Sequence, residues 1–284
     1  MQAKSIPFNY IITIHNKQDL INKVLLSVIQ CAGPDSCIYP VLDGCSDDTE
    51  LIIDNLIAAY PETKIKKLFA NDVHELKAIN IGLNSANQFG DGYNIILQDD
   101  VVLNDMELER KCIYLYRVFN NLGIVSFRHG ANLDRSRIYD QNNDIAFSAY
   151  VQSECGHYPD PVNTINIGTF TFKEIAIKSP ICIPCKVVLE VGPPDERYAP
   201  WDDIAYCWKV SEAGYANGVF ALNFISDVDW GTTRTKTQLF EPGEVIAKNI
   251  ALFRFDHLSL PDLDQKKYDN RRYQLFTDQS LGTT

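Results

Sequence analysis

Three groups of acidic residues in this sequence are candidates for metal binding or for acid–base chemistry. Asp43 follows the apolar run CIYPVL, and Asp99 and Asp100 follow the run YNIILQ. Asp202 and Asp203 come after YAPW, where a helical pattern begins. Adjacent carboxylates at the end of a buried strand favour a hard divalent cation such as Mg²⁺ or Mn²⁺, which takes oxygen ligands and leaves positions for substrate phosphates. Aspartates are also common helix caps and turn residues, so each group alone has a structural explanation as well.

Short apolar runs alternate with stripes of apolar residues at helical spacing in the first half of the chain. This alternation predicts an α/β fold with a mainly parallel sheet flanked by helices. Such sheets bind ligands at the carboxyl ends of their strands, so the first two acidic groups are expected to share one crevice. Strands are predicted at 10–14, 38–42, 65–69, 93–97 and 124–127, and helices at 20–28, 51–59, 76–86 and 105–121.

Two residues add detail to these elements. Pro40 removes a hydrogen-bond donor from the second strand, which either weakens the prediction of a strand here or places the strand at an edge of the sheet. Ser46 is predicted to cap the helix that follows that strand. The buried stripe of this helix is predicted to be Leu51, Ile52, Leu56 and Ala59. The second half of the chain is less regular: residues 129–164 are polar and unassigned, apolar runs return at 165–172 and 182–191, and a helix at 203–213 and a strand at 215–224 follow.

Composition excludes several classes of protein. The 284 residues include 26 Lys plus Arg and 37 Asp plus Glu, for a formal charge of −11, which argues against a nucleic-acid partner. Hydrophobic residues at 45% and charged residues at 22% indicate an ordinary globular protein. No apolar run is long enough for a membrane span and no secretory signal is visible, so a cytoplasmic protein with reduced cysteines is expected. The basic residues Lys266, Lys267, Arg271 and Arg272 form either a peripheral membrane contact or a solvated face.

Five segments, in order, resemble glycosyltransferase family 2: IITIHNKQDLINKVLLSVI, VLDGCSDDT, HELKAINIGLNSA, YNIILQDDVVL and LEVGPPDERYAPWDDIAYCWKVSEAGY. The resemblance covers roughly residues 10–220. It implies a GT-A fold, a nucleotide-sugar donor, a divalent cation (Mn²⁺ or Mg²⁺), and transfer by a hexosyltransferase-type enzyme with inversion at the anomeric carbon. It further implies a nucleotide-sugar-binding half at 1–128, an acceptor-binding and catalytic half at 129–226, and a C-terminal extension at 227–284. The acceptor would be a glycan, a lipid-linked glycan or a protein.

The resemblance also assigns roles to the acidic groups. Asp43 matches the residue that accepts the N3–H of uridine, which a carboxylate suits as a hydrogen-bond acceptor. Asp100 matches the last acid of an Asp-x-Asp signature, which binds the cation bridging the diphosphate, and Asp99 would face the ribose or the water shell of the ion. Asp203 matches the general base that takes the proton of the acceptor hydroxyl, with Asp202 as its paired acid.

Five further residues have weaker assignments from the same resemblance. His15 lies in the loop expected near the nucleotide, and Asn80 matches a position near the phosphate or sugar of the donor. Asn80 could equally belong to a solvated helix face, and His15 could be incidental. His257 in the tail is a candidate metal ligand or a surface residue. Trp201 and Trp230 are candidates either for stacking on a sugar or for packing in the core.

The sequence also departs from the family pattern at three positions. Leu42, Gln98 and Ala205 stand where such enzymes often have acidic residues. These replacements leave open a catalytically degenerate protein that binds a sugar nucleotide. A nucleotidyltransferase is a further alternative, but such an enzyme usually has a Gly-rich loop near its N-terminus, and HNKQDL is not such a loop. A glycosidase is disfavoured, because hydrolysis does not need the features of a nucleotide site. A transferase that uses a UDP-sugar, with Asp203 as general base, is the preferred interpretation.

Overall fold

Strands and helices alternate in the first half of the described chain, as the sequence predicts. The computed structural model describes residues 6–86, 91–132, 151–153, 162–165, 167–199 and 202–227, with Trp230 and Leu252. The helices are α1 (Ile21–Cys31), α2 (Thr49–Ala59), α3 (Glu75–Ser85), α4 (Leu108–Val118), α5 (Cys185–Val191) and α6 (Asp202–Glu212), with a short 3₁₀ turn at Glu196–Tyr198. The strands are β1 (Phe8–Ile14), β2 (Cys37–Asp43), β3 (Lys64–Ile65), β4 (Leu68–Ala70), β5 (Tyr93–Gln98), β6 (Val102–Leu103), β7 (Leu122–Ser126), β8 (His129–Asn132), β9 (Val151–Ser153), β10 (Val162–Ile165), β11 (Gly168–Phe172), β12 (Ile175–Ile177), β13 (Ile181–Pro184), β14 (Ala216–Phe220) and β15 (Phe224–Ile225).

One large, mostly parallel sheet organises these elements, and the α/β prediction is confirmed. Its strands lie in the order β10-β11-β14-β7-β13-β5-β1-β2-β3, and β4 extends the same edge beside β2. The strands β5, β1 and β2 are parallel, whereas β13 lies antiparallel between β5 and β7. Two small sheets, β12-β8-β9 and β15-β6, complete the described architecture.

The central strand β1 separates two hydrophobic cores. All seven of its residues are buried, as expected for a parallel strand covered on both faces. Tyr10 and Ile12 point into the core that contains α1, α2 and α4, whereas Ile11 belongs to the core that contains α3, α5 and α6. The second core is tightly packed, since a Cβ atom at Gly82 would lie 2.3 Å from Cγ2 of Ile11. Helices therefore cover both faces and hold the strand ends in fixed positions.

The position of Pro40 explains an interruption at the sheet edge. Strand β2 pairs with β1 on one side and with β3 and β4 on the other, so the predicted edge position is wrong. The predicted third strand is divided into β3 and β4, which pair with β2 on either side of Pro40. Because proline has no N–H group, it cannot donate a ladder hydrogen bond at this point.

Helix α2 differs from its prediction in its cap and in its buried face. The predicted cap at Ser46 is wrong, because the helix begins at Thr49 and the backbone N–H of Thr49 donates to the carboxylate of Asp47 at 3.1 Å. Leu51 is 59% exposed, whereas Ile53 is completely buried. The helix lies where the sequence predicts it, but its buried face includes Ile53 and excludes Leu51.

The cysteines in the described part of the chain are free thiols. None of the helices that the structure describes has the length or apolarity that a membrane span requires.

Candidate active site

The carboxyl ends of β1, β2 and β5 bring the first two acidic groups together. In the parallel register Ile14 lies beside Leu42, and Thr13 lies beside Gln98. The residues that immediately follow these strands therefore share one edge of the sheet, where open α/β sheets bind ligands. The predicted residues His15, Asp43, Asp99 and Asp100 all lie at this edge.

His15 connects the two acidic groups directly. Its backbone N–H donates to Oδ2 of Asp99 at 2.8 Å, and its Nδ1 lies 2.6 Å from the carbonyl oxygen of Asp43. Since a carbonyl oxygen only accepts, Nδ1 carries the proton in this contact. Nε2 is then the acceptor for the side-chain amide of Asn16 at 3.3 Å. The imidazole is thereby held between the two strand ends.

Side chains also join the loops that follow β1 and β2. The backbone N–H of Ser46 donates to Oδ1 of Asn16 at 2.8 Å, which is the role Ser46 has in place of capping. The backbone N–H of Lys17 donates to Oγ1 of Thr49 at 2.7 Å, and that of Gln18 donates to Oδ2 of Asp47 at 3.1 Å. These contacts fix the two loops that are predicted to line the nucleotide crevice.

Asp43 is fixed by the segment that precedes α3. Its side chain is buried, and Oδ1 accepts the backbone N–H of Val73 at 2.7 Å. On either side of Val73, Asp72 and His74 have positive φ angles of 54° and 70°. Positive φ is uncommon for residues with a Cβ atom, so this segment carries backbone strain next to the site.

The strain at His74 leads to a prediction on stability. Its φ of 70° and ψ of 167° lie in a region that only glycine adopts readily. At most positions a change from Ala to Gly is destabilising, but here we expect the His74→Gly variant to be more stable than His74→Ala by about 1 kcal/mol. Both variants lose the imidazole, so chemical denaturation of the pair isolates the backbone effect. Equal stability, or a more stable Ala variant, would contradict the strain argument.

Asp99 is a buried carboxylate with a lysine beside it. Burial raises the pKa of Asp99 to about 6, while Lys17 and the N–H of His15 act in the opposite direction. Nζ of Lys17 lies 3.6 Å from Oδ1 of Asp99 and also donates to the backbone carbonyl of Trp230. Lys17 lies in the loop expected near the nucleotide, but no motif in the sequence assigns it a role.

Asp100 has the feature that best fits a cation. Its Oδ1 atom is buried and has no hydrogen-bond partner. A buried acceptor without a partner is costly, and a bound divalent ion would satisfy it. Within the described ranges, however, no three His, Cys, Asp or Glu side chains are grouped closely enough to hold a metal. A cation here would need substrate phosphates or solvent as further ligands, and His257 lies outside the described residues.

Asp202 and Asp203 lie at the start of α6, next to Lys178. The sequence patterns gave no indication of this lysine. Nζ of Lys178 lies 2.5 Å from Oδ2 of Asp202 and 3.5 Å from Oε1 of Glu75 on α3. The backbone N–H of Lys178 donates to Oδ1 of Asp203 at 3.4 Å. No pattern around KEIAIKSP singles out this lysine, because the partners come from α3 and α6.

The electrostatics of this cluster follow from burial and from its excess of acids. Burial raises the pKa of Asp203 well above its ordinary value, with Asp202 and Glu75 adding to the effect and Lys178 opposing it. Burial alone would lower the pKa of Lys178, but the surrounding carboxylates raise it above its ordinary value. Asp202 is 5% exposed, and its Oδ1 atom has no hydrogen-bond partner. The cluster therefore presents buried oxygen acceptors that the protein leaves unfilled.

Asn80 lies on α3 and is buried, so the alternative of a solvated helix face is wrong for this residue. Its Nδ2 donates to the carbonyl of Pro194 at 2.9 Å and to Oε1 of Glu196 at 3.1 Å. Its Oδ1 atom is buried without a partner. Asn80 thus connects α3 to the segment before α6.

Residues 178–179 link the acidic residues at the strand ends to the acidic pair at the start of α6. The backbone N–H of Gln98, directly before Asp99, donates to Oγ of Ser179 at 2.9 Å, and Ser179 follows Lys178. The predicted residues thus form a group at the strand ends and a group at α6, linked through residues 178–179. Trp201 lies outside the described residues; Trp230 is half-buried, with the ammonium of Lys23 4.7 Å from its ring centroid.

Comparison with solved structures identifies the architecture. The structure is similar to residues 1–349 of TarS from S. aureus, with a TM-score of 0.59 and 14% identity over 98% of this chain and 73% of that chain. The complex of the same TarS fragment with UDP-GlcNAc gives a TM-score of 0.60 at 14% identity over 98% and 74% of the two chains. The mannosyltransferase PcManGT from Pyrobaculum calidifontis, with GDP-Man and Mn²⁺, gives 0.53 at 13% identity over 98% and 80%.

The chain has a GT-A-like fold. The sequence matches no protein-family model and no curated protein. At these identities the likeness establishes the fold, while the chemistry depends on the residues of the site.

Proposed function

We propose that this protein is an inverting glycosyltransferase of the family 2 type that transfers a sugar from a nucleoside-diphosphate donor, a UDP-sugar by preference, to a hydroxyl acceptor. One observation carries the proposal: unfilled carboxylate oxygens at the strand ends (Asp100) and at α6 (Asp202) lie in two groups that Ser179 links. Such oxygens suit a cation-bound diphosphate on one side and hydroxyl groups on the other.

The donor is proposed to lie across the edge formed by β1, β2 and β5. Asp43 would accept the N3–H of uridine, and His15, between Asp43 and Asp99, would line the nucleotide crevice. Asn80 would contribute its unfilled Oδ1 atom to a phosphate-linked water or to a hydroxyl group of the donor sugar. A uridine nucleotide is favoured because the similar TarS fragment has been solved with UDP-GlcNAc and with UDP.

Asp100 is the proposed principal ligand of a divalent cation. Asp99 would support it through the water shell, and His257 is a proposed further ligand from the tail. When bound, the cation would neutralise the charge that develops on the departing diphosphate. Mn²⁺ is the preferred candidate, since PcManGT has been solved with GDP-Man and Mn²⁺.

Asp203 is the proposed general base in a single displacement. As the acceptor oxygen attacks the anomeric carbon, Asp203 takes the proton of the hydroxyl group, a new C–O bond forms, and the C–O bond to the diphosphate breaks. Attack from the face opposite the leaving group inverts the configuration. Residues 1–128 would bind the donor, 129–226 the acceptor, and 227–284 would extend the same domain.

A degenerate sugar-nucleotide-binding protein is the second candidate. Leu42 is buried and apolar, and Ala205 places a buried methyl group next to the turn that carries the proposed base. Both stand where related enzymes often have acids, and the described residues hold no group of three metal ligands. This candidate predicts binding of the nucleotide without turnover.

Ligand-dependent thermal shifts test the donor half of the proposal. We expect UDP with Mn²⁺ to raise the Tm more than GDP, CDP or ADP, because a ligand that binds only the native state stabilises it by about 2.7 kcal/mol at 100 times its Kd. Release of UDP from a panel of UDP-sugars and acceptors then tests transfer. A shift with UDP but no transfer would favour the degenerate protein, and no shift with any nucleotide would contradict both candidates.

A further inference from the structure

The connector between β12 and β13 touches both parts of the proposed site. Ser179 accepts the backbone N–H of Gln98 through its Oγ atom at 2.9 Å, and its carbonyl accepts Nε of Arg128 at 2.9 Å. These contacts fix the backbone immediately after Lys178. The lysine is therefore held beside α3 and α6 independently of its own side-chain contacts.

The ammonium group of Lys178 lies within a cluster that has more negative than positive charge. Lys178 is only 12% exposed, and Asp202 and Glu75 lie at 2.5 and 3.5 Å from its Nζ atom. Asp203 contacts the backbone of the same lysine. From α6, the thiol of Cys207 also faces the two aspartates, but burial raises its pKa and keeps it neutral. Three carboxylates thus share one described cation.

We propose that Lys178 is a positioning residue for the general base of the proposed transferase: its ammonium group offsets the charges of Asp202 and Glu75 and so favours the ionised form of Asp203, while its backbone N–H holds the carboxylate of Asp203 in place. This inference rests on the proposed function. It follows because like charges at short distance favour the protonated form of a buried acid, whereas an adjacent cation favours the ionised form.

Removal of the ammonium charge has a defined consequence for the pH dependence of transfer. Burial already raises the pKa of Asp203, and Lys178 opposes the rise. A base acts only when it is deprotonated, so the rate increases as the pH passes upward through its pKa. In Lys178→Met the acid limb of kcat/KM should move to higher pH by about 1 to 3 pH units, as expected for the loss of a neighbouring opposite charge.

The experiment compares kcat/KM from pH 5 to 9 in the wild type, Lys178→Met and Lys178→Arg. We expect Lys178→Met to recover most of its activity at the highest pH and Lys178→Arg to keep the acid limb of the wild type. An unshifted acid limb in Lys178→Met, with the same loss at every pH, would show a purely structural role and overturn the proposal.

Glu75→Gln provides a second variant in case Lys178→Met does not fold. Oε1 of Glu75 has no hydrogen-bond partner, so the neutral amide removes a charge without breaking a hydrogen bond at that atom. Because Glu75 raises the pKa of Asp203, the acid limb of Glu75→Gln should move to lower pH. An unmoved limb would count against the charge-balance argument.

A readout that needs no turnover separates this inference from the proposed function. The carboxyl carbon of Asp203 can be followed by ¹³C NMR in aspartate-labelled protein and assigned with Asp203→Asn. A titration midpoint that rises in Lys178→Met and falls in Glu75→Gln would support the role of Lys178 even if no donor were turned over. Identical midpoints in all variants would overturn it even in an active enzyme.

Discussion

Replacement of Asp203 by Asn is expected to lower kcat for sugar transfer by a factor of about 10²–10⁴, the usual contribution of a positioned general base. The amide has nearly the shape of the carboxylate but cannot take the proton of the acceptor hydroxyl. Asp203 lies at the start of α6, apart from the strand ends where the nucleotide is proposed to bind. The Tm increase caused by UDP should therefore be the same in the variant and the wild type.

The matched control for this prediction is Asp195→Asn. Asp195 is also an acid of the segment before α6, but it pairs with Arg197 at 2.5 Å and takes no part in the Lys178 cluster. Its variant should keep the full rate. Steady-state rates with saturating donor and acceptor provide the comparison. If Asp203→Asn transferred sugar as fast as the wild type, Asp203 would not be the base and the proposed mechanism would be wrong.

Replacement of Asp100 by Ala is expected to remove the dependence of transfer on Mn²⁺ together with most of the activity. Substitutions one shell away from a metal typically cost 10- to 100-fold, so the loss of a direct ligand should cost at least about 100-fold. The Tm increase produced by Mn²⁺ with UDP should be lost in the same variant.

The ligand-free protein should respond to Asp100→Ala in an unusual way. Oδ1 of Asp100 is buried without a partner, so its removal takes away an unsatisfied acceptor. We therefore expect the Tm of the ligand-free variant to equal or exceed that of the wild type. Asp91→Ala is the control, since Asp91 is exposed and lies just before β5, the strand that Asp100 follows. A Mn²⁺ titration unchanged in Asp100→Ala would contradict a metal site at this residue.

Local pattern was sufficient for much of the fold. The sequence predicts β1 and β5 from their continuous apolar runs and α3 from its helical stripe. Both patterns are local, because they depend only on the order of residues within one segment. The acids that follow the strands could be placed at one edge for the same reason, since parallel strands bring their carboxyl ends together. His15, Asp43 and Asp99 do meet there.

Contacts between distant segments were decided only by the tertiary structure. Strand β13 enters the sheet antiparallel between β5 and β7, and its entry places Lys178 between α3 and α6. Nothing in the neighbouring sequence marks that lysine, because its partners lie 24 or more residues away. The exposure of Leu51 and the role of Ser46 were likewise set by neighbouring elements. The sequence by itself determined the elements and the acidic residues at their ends; the packing of distant segments determined which charges face one another, because burial and pairing depend on neighbours that local pattern does not specify.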